Sequence, residues 1–104
     1  MPKRSLDGLT ETMFYVLMAF SHGEKSGIDI AAFIDEKTRG RLRIGPATLY
    51  TILGKFEREN HIEETGVSGR KRTYRITQRG AAAYRQEVER LRLCLDDAEK
   101  EAHR

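Results

Sequence analysis

The sequence of 104 residues lacks several features on which large classes of function depend. It has no tryptophan and only one cysteine. A single cysteine excludes an internal disulfide and a zinc site of several cysteines, and it indicates a reducing compartment. No apolar run approaches the roughly 20 residues of a membrane span, and the basic N-terminus has no signal-peptide pattern. We therefore expect one domain that lies in the cytoplasm and does not bind a membrane.

The charged side chains are unevenly distributed along the chain. Residues 1–36 hold 3 basic and 6 acidic side chains, residues 37–75 hold 10 and 4, and residues 76–104 hold 6 and 6. The net charge of +3 therefore conceals an excess of six positive charges, 10 against 4, in the central stretch. Such a distribution indicates one cationic face that meets a polyanion, and a merely solvated surface is the alternative.

Hydrophobic patterning predicts two helices in the first third of the chain. The apolar run 9–20 is too long for a typical strand and indicates a deeply buried first helix. Ser26 offers an N-cap hydroxyl to a second helix that runs to about Lys37. The alternation of apolar and polar residues in 42–44 then predicts a very short strand.

A third helix is predicted from Pro46 to about Asn60, because proline is favoured in the first helical turn and Gly45 can serve as the cap. At helical spacing one face is apolar and consists of Leu49, Ile52, Leu53 and Phe56. The opposite, outward face is small and polar and consists of Ala47, Thr51, Gly54 and Arg58, with Thr48, Tyr50 and Lys55 at its flanks. Gly54 would let another surface approach closely, and plain tolerance of a glycine is the alternative.

The last third of the chain predicts a hairpin and a long helix. Two β-prone segments, 62–67 and 73–77, flank a turn whose tip carries Arg70, Lys71 and Arg72. Thr77 caps a last helix, whose 22 residues from 81 to 102 would extend about 33 Å. Apolar residues recur along it at the spacing of a coiled-coil seam, namely Tyr84, Val88, Leu91, Leu95, Ala98 and Ala102. This seam predicts packing against a second copy of the chain, and folding back onto the first helix is the alternative.

The predicted order of helix, helix, short strand, helix and hairpin is that of a winged helix-turn-helix. We expect a mainly α fold with a small β-hairpin, in which residues 1–80 form the winged helix-turn-helix and residues 81–104 form a dimerisation helix. The third helix of such a fold enters a major groove of double-stranded DNA, and a two-fold dimer predicts an inverted-repeat operator. The predicted DNA contacts are Ser26, Ala47, Thr48, Tyr50, Thr51, Lys55, Arg58, Arg70, Lys71 and Arg72.

Three segments carry a resemblance to a known family, namely GPATLY at 45–50, the pair Ile62-Glu63, and YRITQRG at 74–80. Over about residues 9–100 the sequence resembles the PadR family of bacterial transcriptional regulators, in its short form with one C-terminal helix. The resemblance implies a homodimeric repressor whose last helix exchanges contacts with its partner. Family members commonly carry tyrosine after the glycine that opens the second helix, where this chain has Ile28. Some short members bind planar aromatic drugs between tryptophans of the last helix, and this chain has no tryptophan.

No catalytic site, metal site or cofactor is predicted. His22, His61 and His103 lie in predicted turns or in the tail, where we expect solvated side chains, and no nucleophile, base and orienting acid converge. Cys94 has no histidine at ligand spacing on its helix. We expect it to be a small buried hydrophobe, and a redox switch is the alternative.

A pocket for a small-molecule effector is expected between the first and last helices, lined by Phe14, Tyr15, Met18 and Leu95. The rival to DNA binding is a winged-helix module that binds protein through its C-terminal helix and leaves its cationic face solvated. The two functions differ in salt dependence. Neutralised phosphates make the affinity for DNA fall steeply with salt, whereas an apolar helical interface changes little.

Overall fold

The computed structural model describes residues 8–103. Residues 1–7 of the predicted unit 1–80 and residue 104 of the predicted unit 81–104 lie outside the described part. The described chain forms four α-helices and a three-stranded antiparallel sheet. In chain order the elements are α1 (Glu11–Ala19), β1 (Lys25–Ser26), α2 (Gly27–Lys37), α3 (Pro46–Arg58), β2 (Ile62–Ser68), β3 (Lys71–Ile76) and α4 (Gln78–Ala102), with a 3-10 turn at Phe20–His22 after α1. The mainly α fold with a small β-hairpin is therefore confirmed. None of the helices in residues 8–103 combines the length and the apolar character that crossing a membrane requires.

Side-chain caps fix where the first two helices begin. The Thr10 hydroxyl accepts a hydrogen bond from the Met13 N–H at 3.1 Å and caps α1. The Ser26 hydroxyl accepts from the Asp29 N–H at 3.2 Å, and the Asp29 carboxylate accepts from the Ser26 N–H at 3.1 Å. This reciprocal capping box satisfies donors that would otherwise lack partners at the start of α2. The N-cap predicted at Ser26 is confirmed.

The helix α3 begins as predicted, with Gly45 as its cap and Pro46 in its first turn, and it ends at Arg58, two residues before the predicted end. Its predicted apolar face is buried and joins the core with residues of α1, α2 and the sheet. The core consists of Met13, Val16, Leu17, Ala19, Phe20, Ile30, Ile34, Leu49, Ile52, Leu53, Phe56, Ile62 and Tyr74. Because this face is packed, the opposite face of α3 is left to solvent.

The strand predicted at 42–44 is wrong, and the third strand of the sheet lies elsewhere. β1 pairs antiparallel with β3, with Ser26 opposite Thr73, and the sheet order is β1-β3-β2. Residues 42–44 form no strand. The Leu42 N–H, which a strand would use for pairing, instead donates to the Thr38 hydroxyl at 3.0 Å and holds this segment close to the end of α2. The pairing of β1 with β3 ties the start of α2 to the wing.

The hairpin of β2 and β3 is the predicted wing, with one bulge in β2. Gly69 turns the chain at a φ of +63°, a conformation that side chains other than glycine rarely adopt. Of the three cations predicted at the tip, only Arg70 lies in the turn, whereas Lys71 and Arg72 belong to β3. The wing therefore presents its cations along one strand as well as at its tip.

The last helix, α4, begins at Gln78, directly after the predicted cap Thr77, and spans 25 residues, three more than the predicted stretch 81–102. Thr77 caps it, because its hydroxyl accepts from the Gly80 N–H at 3.0 Å and donates to the Asn60 carbonyl at 2.6 Å. Gly80 is required by a close approach, since a Cβ there would overlap the His61 carbonyl oxygen. These contacts fix the start of α4 against the end of α3.

Candidate nucleic-acid interface

The outward face of α3 is open to solvent along its length. The residues predicted there to contact DNA are all exposed, namely Ala47, Thr48, Tyr50, Thr51, Lys55 and Arg58. The Thr51 hydroxyl donates to the Ala47 carbonyl at 3.0 Å, which leaves the hydroxyl oxygen free to accept a further hydrogen bond. Short side chains on this face let a second surface approach the helix closely, as readout of base edges requires.

Gly54 lies in the middle of α3, on this outward face. A Cβ at Gly54 would have only the Arg58 guanidinium within 4 Å, at 3.4 Å. A methyl group therefore fits within the described chain, and no internal contact there requires a glycine. The close approach of another surface at Gly54 stays a prediction.

The cations of the predicted interface differ in whether a carboxylate already pairs with them. Lys55 Nζ lies 2.9 Å from Glu59 Oε2, and Arg72 Nη1 lies 3.3 Å from Glu64 Oε2. Such exposed pairs are worth at most about 1 kcal/mol, so a phosphate can compete for these cations. Among residues 8–103, the predicted cations without an ion-pair partner are Arg58, Arg70 and Lys71.

Half of the predicted residues come together in one cleft of about 220 Å³ between the start of α2, α3 and the wing. The predicted residues in its lining are Ser26, Tyr50, Arg70, Lys71 and Arg72. Tyr50 projects from α3 and is 54% exposed, whereas Ser26 is buried in the wall and its hydroxyl is engaged in capping α2. The other five lie outside this cleft on the exposed face of α3, namely Ala47, Thr48, Thr51, Lys55 and Arg58.

Sequence reasoning missed three residues that line this cleft, Gly27, Ile28 and Asp29. Hydrogen bonds from Ser26 hold the pKa of Asp29 below its ordinary value, and the positive charge of Lys71 acts in the same direction, so this carboxyl is ionised. Ile28 is 78% exposed. A signal for it was available, because Ile28 follows the predicted N-cap but lies off the apolar stripe of α2 and so faces solvent.

The seam on α4 divides into a packed half and a free half. Tyr84 stacks on Phe14 of α1 with ring centroids 5.2 Å apart, and Val88 is half-buried. The free half consists of exposed residues, namely Leu91, Leu95, Ala98 and Ala102. The start of α4 thus folds back on α1, and the far half of its seam is uncovered in the single chain.

A cavity of about 380 Å³ lies between α1 and α4, where the sequence predicts an effector pocket. Phe14 and Tyr15 line it as expected, but Met18 and Leu95 do not belong to its lining, which includes Leu91 instead. Both missing side chains lie one helical turn beyond the cavity, Met18 past Phe14 on α1 and Leu95 past Leu91 on α4. The predicted pocket is therefore corrected at these two positions.

Two residues differ from their sequence-based expectations. The His61 side chain is only 14% exposed, its Nδ1 has no hydrogen-bond partner within residues 8–103, and burial lowers the pKa of His61 below the ordinary 6.5. Cys94 is exposed, so the expectation of a buried hydrophobe is wrong for the single chain. His22 and His103 are exposed as expected. In the part of the chain that the structure describes, no group of three His, Cys, Asp or Glu residues could hold a metal ion.

Comparison with known proteins gives one family and many similar folds. The matching family model is that of the transcriptional regulator PadR-like family, over residues 16–86. A solved transcriptional regulator from Clostridium thermocellum is 28% identical with a TM-score of 0.76, and the match covers 86% of this chain and 87% of that one. A search of the curated proteins found no match.

Two further solved structures share the fold at lower identity. A PadR family transcription regulator from Clostridium difficile is 14% identical with a TM-score of 0.76, covering 89% of this chain and 99% of that one. Bacillus subtilis PadR in complex with operator DNA is 22% identical with a TM-score of 0.65, covering 73% of this chain and 45% of that one. The family match spans more than half of the chain, including α2, α3 and the wing. The chain therefore belongs to the PadR-like family of transcriptional regulators, whose members are regulators and not enzymes.

Proposed function

We propose that this regulator is a homodimeric repressor that acts in the cytoplasm and binds an inverted repeat in double-stranded DNA through α3 and the wing. The observation that carries the proposal is the cleft in which Tyr50 and the unpaired cations Arg70 and Lys71 meet beside the exposed face of α3. A helix that enters a groove needs donors at its flanks for the adjacent phosphates. Bacillus subtilis PadR, which shares the fold, has been solved with operator DNA, and this supports the same use of the fold here.

Two kinds of contact are expected from the interface. Ala47, Thr48 and Thr51 lie on the exposed face of α3, where short side chains reach base edges through hydrogen bonds or contact with thymine methyl groups. Arg58 and Arg70 are expected on phosphates, which position the protein without reading the sequence. Specificity is therefore assigned to α3, and most of the affinity to the cations of α3 and the wing.

Dimerisation is proposed on the free half of α4. Leu91 and Leu95 are 39% and 59% exposed, and a second copy that covers them removes apolar surface from water. The 25 residues of α4 extend about 37 Å, so its free half projects from the packed part of the domain. A two-fold axis through this region presents two copies of α3 to half-sites about one helical turn, ~34 Å, apart.

An effector in the cavity between α1 and α4 is proposed to act on DNA binding through Arg41. The Arg41 guanidinium, in the loop between α2 and α3, donates to Glu11 Oε2 at 2.8 Å and to the Tyr15 hydroxyl at 3.1 Å. Glu11 and Tyr15 both line the cavity. A ligand that competes for either group displaces the Arg41 side chain and so removes one of the contacts that hold the loop before α3, which gives ligand binding a route to change the affinity for the operator.

The proposal is tested by selecting sheared genomic fragments with the purified protein at about 150 mM salt, where non-specific binding is weakened. We expect the retained fragments to be enriched in one inverted repeat. The Arg70→Ala, Lys71→Ala double variant should retain less DNA, and Lys37→Ala is the matched control because Lys37 is exposed at the opposite end of α2 from the cleft. Retention without enrichment contradicts sequence-specific binding, and no retention favours the module that binds protein through α4.

A further inference from the structure

Gly27, the first residue of α2, lies directly under the side chain of Tyr50 from α3. A Cβ at Gly27 would lie 3.0 Å from the Tyr50 hydroxyl oxygen and 3.3 Å from Tyr50 Cζ. Both distances are shorter than ordinary van der Waals contact between such atoms. The bare Cα of Gly27 is therefore what lets the Tyr50 ring rest against the first turn of α2.

The backbone at Gly27 does not explain the glycine. Gly27 is not among the glycines with positive φ in the described chain, which are Gly23, Gly40 and Gly69. Glycine is also among the least favourable residues within a helix, so local propensity would favour alanine here. The requirement for glycine comes from the Tyr50 side chain, which leaves little room for a Cβ at this position.

The Tyr50 hydroxyl is available for an external contact. Within residues 8–103 it forms no hydrogen bond, and the side chain is 54% exposed. It opens into the cleft that Arg70 and Lys71 also line. A phenolic O–H beside unpaired cations is a suitable donor to a phosphate oxygen.

We infer that Gly27 is a positioning residue for DNA binding, which holds the Tyr50 hydroxyl over the start of α2 so that it can donate to a backbone phosphate. The inference rests on the proposed function, and it assigns to Gly27 a role in affinity and not in stability. Because the Tyr50 side chain is half exposed, a methyl group at Gly27 can push the ring towards solvent at little cost to the fold. The contact to Leu49 Cδ2, at 3.4 Å from the same Cβ position, is an ordinary one and needs no large shift.

A double-mutant cycle between Gly27→Ala and Tyr50→Phe tests this inference on the full chain. We expect Tyr50→Phe to bind a selected operator fragment about tenfold more weakly, as for a lost hydrogen bond to a charged group, and Gly27→Ala, which only displaces the hydroxyl, to bind more weakly by a smaller factor. The double variant should bind no more weakly than Tyr50→Phe, because Gly27→Ala acts only through the hydroxyl. The midpoint of thermal unfolding of Gly27→Ala should be unchanged or higher.

Proton–carbon spectra of labelled tyrosine rings give a second readout without DNA. Of the four tyrosines, Tyr50 should show the main shift in Gly27→Ala, while Tyr15, Tyr74 and Tyr84 serve as internal references. Unchanged operator affinity in Gly27→Ala, losses that multiply in the double variant, or a matching fall in the thermal midpoint would each overturn the inference. If the native chain binds no DNA, both the proposed function and this inference fail. If the native chain binds the operator and Gly27→Ala binds it equally well, only the inference about Gly27 fails.

Discussion

The rings of Phe14 and Tyr84 stack with their centroids 5.2 Å apart and their planes at 17°. Phe14 belongs to α1, which carries the core residues Val16 and Leu17, and Tyr84 belongs to the first half of α4. The contact fixes the direction in which the free half of α4 leaves the domain. In the proposed dimer, the spacing of the two DNA-reading helices therefore depends on this aromatic pair together with the contacts of Thr77 and Gly80 that fix the start of α4.

Removal of the Tyr84 ring should destabilise the chain. We expect Tyr84→Ala to lower the free energy of unfolding by about 2 kcal/mol, through lost burial and the lost aromatic contact. Urea denaturation measures the change. Tyr84→Phe keeps the ring and is the control, so an equal loss in both variants would show that the stacking contributes nothing.

The wing cations should act on the DNA backbone and not on its sequence. We expect Arg70→Ala and Arg72→Ala to weaken binding to operator and non-operator DNA alike and to flatten the salt dependence on a logarithmic plot, by about two per dimer for Arg70 and by less for Arg72, which already pairs with Glu64. Fluorescence anisotropy with labelled duplexes measures both quantities. Lys37→Ala, distant from the cleft, should bind as the native chain does. Unchanged binding in both wing variants would remove the wing from the mechanism.

The free half of α4 should control the oligomeric state. We expect the Leu91→Asp, Leu95→Asp double variant to be monomeric and to bind the operator much more weakly, because charged groups would have to be buried in the interface. Sedimentation velocity measures the mass. Leu93→Asp is a matched control, since Leu93 is 58% exposed but lies off the seam. A dimer that survives the double substitution would contradict dimerisation through the seam on α4.

Burial of neutral His61 should make stability depend on pH. Burial lowers the pKa of His61 in the folded chain below the ordinary 6.5, Arg79 and Lys55 add to this effect, and Glu59 opposes it. Below about pH 6.5 the unfolded chain therefore binds more protons than the folded one. The contribution of His61 to stability is complete above that pH and falls as the pH is lowered towards the folded pKa.

Urea denaturation between pH 7.5 and pH 5, in roughly half-unit steps, tests the role of His61. We expect His61→Phe to show a shallower loss of stability on acidification than the native chain. His22→Phe is the control, because His22 is exposed, and it should keep the native dependence. Identical profiles for the native chain and His61→Phe would contradict the assignment.

Features that depend on near neighbours in the chain could be predicted from the sequence. The caps Ser26 and Thr77 each bond a backbone N–H three residues on, and Pro46 has its fixed φ at the first helical position; all three mark helix starts in the structure. β1 could not be predicted in this way, because Lys25 pairs with Tyr74, almost 50 residues later. A strand of two residues has no periodicity of its own to detect.

The candidate interface likewise has features that depend on near neighbours in the chain and features that depend on distant ones. The small exposed face of α3 follows from helical spacing alone. The pairing of Arg72 with Glu64 across the wing and the contact of Gly27 with Tyr50 depend on how the elements pack. The sequence therefore indicates which cations are present, and the fold decides which of them are free to meet phosphate.

The salt dependence of affinity for the selected inverted repeat tests the central claim most directly. Each chain offers three predicted cations without an ion-pair partner in the described residues, Arg58, Arg70 and Lys71, so a dimer offers six. Six neutralised phosphates predict a slope of about −5 in a plot of log affinity against log salt concentration. A steep slope near this value, with two chains bound per repeat, is the expected result. A slope near zero, or one chain per repeat, would contradict a dimeric repressor held on DNA by these cations.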